Sequence, residues 1–219
     1  MLNYLPLLLI PAISLVILLG SVIIHELAHA YTADRLGDPT PRIDGRLTLN
    51  PLAHLEWFGS VILPLSLSLI GSPFIFGWAK PVVFDPYNLA KPRRDTALIS
   101  LAGPLSNIVL ATIVAIFARL VAVDSLIYLI LAAVVRLNIT LAVFNLIPIH
   151  PLDGGKILVG LLPQRDAYKV DLFLRRYGTY LLLLLILPIW RGSSPVFAII
   201  TPVIKLLSNL LLPNYYQFI

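Results

Sequence analysis

The sequence predicts an α-helical polytopic membrane protein with about five to six membrane helices, and three observations carry that class. The 219 residues are 58% hydrophobic and only 12% charged, with a mean hydropathy of +0.91. Several apolar runs approach or exceed the roughly 20 residues that a helix needs to cross a bilayer. No long polar segment leaves room for an appended soluble domain. Residues 1–219 therefore read as one membrane-embedded domain, with a core at about 5–163 and C-terminal helices at about 177–213. The net charge of +5 sits in loops that flank apolar helices, so it reflects membrane topology and a lipid bilayer partner, not nucleic-acid binding.

The first helix is expected from about Leu5 to Leu36, stopping at Gly37, a residue type suited to a helix C-terminus. Ala28-His29-Ala30 resembles a signal-peptide cleavage site. The start lacks a basic region and the apolar run is too long, so that reading is set aside. Asp38 to Glu56 is polar and broken by Pro39, Pro41, Gly45 and Pro51; within it, Arg42 to Leu49 reads as a short β-hairpin. Trp57 to Phe76 is apolar but carries Gly59, Pro64, Gly71 and Pro73, and Gly77 to Phe84 reads as extended. Clearer apolar stretches follow at Ala97–Val123, Leu126–Ile147 and Tyr177–Trp190. A last one, Val196–Leu212, contains Pro202 and is left open between crossing the bilayer and lying along it.

Loop charge decides how the 57–76 stretch is read. A full crossing puts Arg35, Arg42, Arg46, Arg119 and Arg191 together on the side poorer in basic residues. A re-entrant dip leaves only Arg119 and Arg191 there, which the positive-inside rule favours. The expected topology thus has the N-terminus outside and the β-hairpin near the cytoplasmic face. The dip also brings the end of the first helix to the same side as residues 148–155. Irregular backbone at that depth must line protein or a water-filled cavity.

The chemistry begins at His25-Glu26-Leu27-Ala28-His29, at the end of the first apolar run. On a helix, this H-E-x-x-H spacing puts two imidazoles on one face, one turn apart, where both can bind one zinc ion. The intervening Glu26 can serve as general base towards the hydrolytic water. Such groups are costly inside a membrane without a function. With no cysteine in the chain, the remaining ligands must be His or carboxylate. Asp153 is the strongest third candidate, because Pro148 and Pro151 break an apolar helix just before it, and Gly154 and Gly155 follow. A His₂Asp set keeps a fourth position open, as catalytic zinc sites do.

Each of these residues also has a structural reading. Asp153 can cap a short helix beginning near Gly154, and Asn145 can join helices by hydrogen bonding. His54 and His150 are rival ligands, with His54 assigned to an interfacial or gating position. Arg136 lies near the middle of an apolar helix and can snorkel or pair. Asn107 and Asn138 read as interhelical glue, and the Tyr215-Tyr216-Gln217-Phe218 tail as an interfacial anchor.

Taken together, HELAH, Ala102-Gly103-Pro104-Leu105-Ser106-Asn107 and FNLIPIHPLDGG at 144–155 resemble the site-2 protease family of intramembrane zinc metalloproteases. Gly45-Arg46-Leu47-Thr48-Leu49-Asn50-Pro51 and GWAKPV at 77–82 resemble its short bacterial or archaeal branch, which lacks PDZ and CBS domains. The resemblance covers about residues 20–160. It implies one Zn2+ on His25, His29 and Asp153, Glu26 as base, and Asn145 in contact with substrate backbone. It also implies a prokaryotic cell membrane and membrane-protein substrates with a locally unwound transmembrane segment, paired with strands near the site. His150 departs from the family pattern, standing where proline is usual. The rival functions are a catalytically silent scaffold and a zinc transporter; the latter leaves Glu26 without a purpose.

Overall fold

The computed structural model describes residues 5–70, 80–188 and 194–212. Helix α1, Leu5–Arg35, ends as Gly37 predicts. Gly37 takes a positive φ of 108°, and Asp38 N–H donates to Ala33 O at 3.0 Å while Gly37 N–H donates to Asp34 O at 3.3 Å. These are the two bonds of a Schellman motif, which satisfies carbonyls that the helix end would leave open.

Among the described residues, three helices are long and apolar enough to cross a membrane: Ala12–Arg35 within α1, α5 at Pro92–Ala118 and α6 at Leu126–Asn145. The expected five to six spans exceed this count, for physical reasons. The 57–76 stretch begins as a π-helix at Trp57–Ile62 and continues as α4, Leu63–Leu69; this helical run is too short for about 30 Å of hydrocarbon, and its continuation at 71–79 lies outside the described residues. Helix α8, Gln164–Ile186, carries Arg165, Asp166, Lys169, Asp171, Arg175 and Arg176 in its first half, so its apolar part is confined to 177–186. Helix α9, Pro195–Leu211, is apolar but only 17 residues long and contains Pro202. The Tyr215–Phe218 tail also lies outside the described residues.

The core forms where α5, α6 and α9 meet. Ala111, Ala115 and Ala118 share one face of α5 and pack with Tyr128, Ala132, Val135 and Ile139 of α6 and Val196, Ile200 and Ile204 of α9. Small side chains on α5 let the helix backbones approach closely, the usual means of helix association in lipid. Arg119, just past α5, donates to the carbonyls of Leu210 and Leu211 at the end of α9.

No strand occurs among the described residues, which overturns the β-hairpin expected at 42–49. Thr40–Ile43 is instead a single helical turn, α2, with a proline in its first positions, where the missing N–H costs nothing. Arg46 N–H then folds back onto Pro41 O at 2.8 Å, and its buried guanidinium reaches Ala53 O. Local turns consume the hydrogen-bonding groups that a ladder would need. A second short helix, α3, spans Pro51–His54. Residues 80–85 form neither helix nor strand and are tied at Lys80 N–H to His54 O (2.9 Å) and at Asp85 N–H to Asp38 Oδ2 (2.7 Å).

Asp38 is the hub of this region. Its buried carboxylate also accepts from Thr40 N–H, the Thr40 hydroxyl and Asn88 Nδ2. Burial alone would raise its pKa, but the bonds from Thr40, Asn88 and Asp85 N–H hold it below the ordinary carboxylate value.

Candidate metal centre and active site

His25, His29 and Asp153 converge, all buried, from α1 and the first turn of helix α7, Asp153–Leu161. Nε2 of His25 lies 3.0 Å from Nε2 of His29, and Asp153 Oδ2 lies 3.2 Å from each. Two glycines make the Asp153 turn possible. A Cβ on Gly154 would fall 2.3 Å from the carbonyl oxygens of Leu146 and Ile147, and one on Gly155 would fall 2.9 Å from His150 N.

The outer ring nitrogens fix the tautomers. His25 Nδ1 is 2.6 Å from Asn107 Oδ1, and His29 Nδ1 is 2.7 Å from the Ile99 carbonyl. Both partners accept, so both Nδ1 atoms carry the proton and both Nε2 lone pairs point inward. Asn107 is itself oriented: its Nδ2 donates to Asn138 Oδ1 at 2.7 Å, and Asn138 Nδ2 donates to Ser21 Oγ at 2.9 Å. Two imidazole lone pairs and a carboxylate oxygen thus face one another with no proton between them, an arrangement that calls for a cation. Donors about 2.0–2.2 Å from zinc stand roughly 3.3 Å apart in a tetrahedral site, close to the spacings here. The donor set fits zinc.

Glu26 lines the same cavity, of about 130 Å³, with His25, His29, Asn145, Asp153 and Lys156. Its Oε2 accepts from Val82 N–H at 2.8 Å, so the 80–85 segment positions this carboxylate. Asn145, the last residue of α6, commits its Nδ2 to Leu141 O at 3.0 Å, and no partner for its Oδ1 occurs among the described residues.

Other sequence candidates lie elsewhere. His54 is buried with Nε2 donating to Thr48 O at 2.8 Å, outside the donor cluster. His150 sits 3.5 Å from Asp171 Oδ1, also outside the cluster; burial, aided by Lys156 and Arg175, holds its imidazole below the ordinary value against the pull of Asp171. Arg136 is exposed on α6. The sequence marks Asn107 only as interhelical glue, whereas it also holds His25. The role of Gly103 went unread: a Cβ there would lie 2.4 Å from His29 Nε2 and 2.6 Å from His25 Cε1, so only glycine lets α5 pass the imidazole pair.

The sequence profile of peptidase family M50 matches residues 119–189, which contain Asn145 and Asp153. A Bacillus subtilis protein named "Putative zinc metalloprotease YwhC" is 37% identical over 195 residues, covering 80% of this chain and 84% of its own. The chain belongs to peptidase family M50. This is the site-2 protease family, and the protein is a membrane zinc metalloprotease. A Mycobacterium tuberculosis protein named "Putative zinc metalloprotease Rip2" is 34% identical over 138 residues, 62% of this chain and 52% of its own length. No solved structure matches the chain.

Proposed function

We propose that this M50 peptidase hydrolyses peptide bonds in or near transmembrane segments of membrane proteins, with His25, His29 and Asp153 as zinc ligands and Glu26 as general base. The carrying observation is that the three inward-facing donors and the Glu26 carboxylate share one small cavity between membrane helices. When bound there, zinc supplies Lewis acidity that activates water and polarises the scissile carbonyl.

Glu26, held at Oε2 by Val82 N–H, removes the proton from the attacking water and returns it to the leaving amine. Asn145 orients substrate backbone through its Oδ1. A substrate helix hides its amides in i→i−4 bonds, so it must unwind locally. The 80–85 segment then pairs with it as an added strand. The helical run at 57–69 enters the membrane without crossing it, the N-terminus lies outside a prokaryotic cell membrane, and the site opens toward the cytoplasmic face.

The test is elemental analysis of detergent-purified wild type, His25→Ala and Asp153→Ala, with cleavage of a reporter transmembrane segment by wild type and Glu26→Gln. One zinc per wild-type chain is expected, lost or much reduced in both ligand variants. Glu26→Gln should keep zinc and lose cleavage. Wild-type cleavage by Glu26→Gln would refute the mechanism, and zinc retained without Asp153 would break the ligand set.

A further inference from the structure

Lys156 lies three residues beyond Asp153 on α7, a spacing that puts both on one helix face. It lines the same cavity as Glu26 and Asn145. Its ammonium stands 5.5 Å from the centroid of the Phe84 ring, a cation–π distance. Phe84 in turn packs against the buried Ala33, Leu89 and Ile99, so the cation rests on an anchored ring. Among the described residues no carboxylate lies within ion-pair reach of Lys156. Ser100, only 1% exposed, lines the same cavity with a hydroxyl that has no hydrogen-bond partner among the described residues. A half-buried cation without an anion is unfavourable, unless negative charge develops beside it during the reaction.

Amide hydrolysis creates such a charge. We propose that Lys156 is a catalytic electrophile whose ammonium donates to the oxygen of the scissile carbonyl and stabilises the oxyanion. As the water oxygen bonds to the carbonyl carbon, the C=O π pair moves onto oxygen and the water proton passes to Glu26. The C–N bond then breaks, the C=O bond re-forms, and the amine leaves with the proton from Glu26. Lys156 keeps its own proton throughout. The inference rests on the ligands and base assigned above. It adds a protein-borne positive charge to the transition state, where a preorganised donor is worth most.

The test uses full-length protein in detergent, with Lys156→Met as the neutral variant, all in the Glu26→Gln background. Two probes are titrated: a phosphinic tetrapeptide, whose tetrahedral anion mimics the transition state, and the amide tetrapeptide of the same sequence. Zinc content and thermal melting are read in parallel. Lys156→Met should keep zinc and bind the phosphinic peptide about 100-fold more weakly, the scale of losing one oxyanion donor, with the amide peptide unaffected. Undiminished phosphinic binding, or equal losses for both peptides, would overturn the proposal. So would loss of zinc, which would make Lys156 a support of the metal centre. Should Lys156→Met not fold, Lys156→Gln supplies the neutral comparison. Parent protein without zinc would instead refute the site assignment and this inference with it.

Discussion

Gly103→Ala adds one methyl group where α5 crosses the imidazole pair. The new Cβ would lie 2.4 Å from His29 Nε2, 2.5 Å from His29 Cε1 and 2.6 Å from His25 Cε1, whereas ordinary contact begins at 3.4 Å. The shortfall is 3.4 − 2.4, so the rings must withdraw by about 1.0 Å or α5 must shift. Both rings are pinned from behind, by Asn107 and by the Ile99 carbonyl. Zinc–ligand distances tolerate only about 0.2 Å, so zinc affinity should fall by roughly 100-fold or more, about 3 kcal/mol. Alanine favours a helix over glycine by about 1 kcal/mol, so α5 itself should not weaken, and this opposite sign separates site damage from misfolding. Competition titration against a chromophoric zinc chelator measures the affinity, and circular dichroism checks the helices. A Gly103→Ala protein with native helicity and wild-type zinc affinity would refute the reasoning.

Asn107→Leu removes the acceptor that fixes the His25 tautomer, and the same titration should show a 10- to 100-fold loss of zinc affinity; no loss would mean that the tautomer is set elsewhere. His54→Ala should keep its zinc, since that ring is engaged with Thr48 O, and metal loss on elemental analysis would return His54 to the ligand set. Asp38→Asn should destabilise the protein by about 2 kcal/mol at neutral pH, the scale of hydrogen bonds to a charged group. Because the folded-state pKa of Asp38 is depressed below 3.8, its contribution is complete above that value and disappears as pH falls through the folded-state pKa. The gap between wild type and variant should therefore narrow as pH falls below 3.8. Denaturant melts in detergent across that range check it, and a gap that stays constant would count against the assignment.

The donor set was legible in the sequence because each part carries a local signal: helical spacing for His25 and His29, and a proline-broken turn with two glycines for Asp153. The supports were harder to read, since they depend on helix contacts far apart in the chain. Asn107 appeared polar in an apolar helix, but nothing local pointed it at His25, 82 residues away. The Ile99 carbonyl has no side-chain signature at all. The β-hairpin fails for a different reason: Pro39 and Pro41 read as helix breakers, although proline is welcome in a helix's first turn. Three of the five to six expected spans are met among the described residues, and the apolar half of α8 does not add one because it continues a charged half in the same helix. The sequence reads Gly77 to Phe84 as extended, but the hold of Val82 on Glu26 is visible only in three dimensions.

Helix α1 also sets a depth. Arg35, exposed at its end, belongs among headgroups, and His29 precedes it by six residues, about 9 Å along the axis. The metal position is therefore within roughly a third of the hydrocarbon thickness of one face. Water need travel only that far, and a polar product stub can leave by the same short route. Beyond the site, Ala111, Ala115 and Ala118 close α5 against α6 and α9. Under the function proposed above, the donor cluster and this tightly packed stretch occupy successive levels of the same α5–α6 pair, and cleavage at the first leaves the second closed.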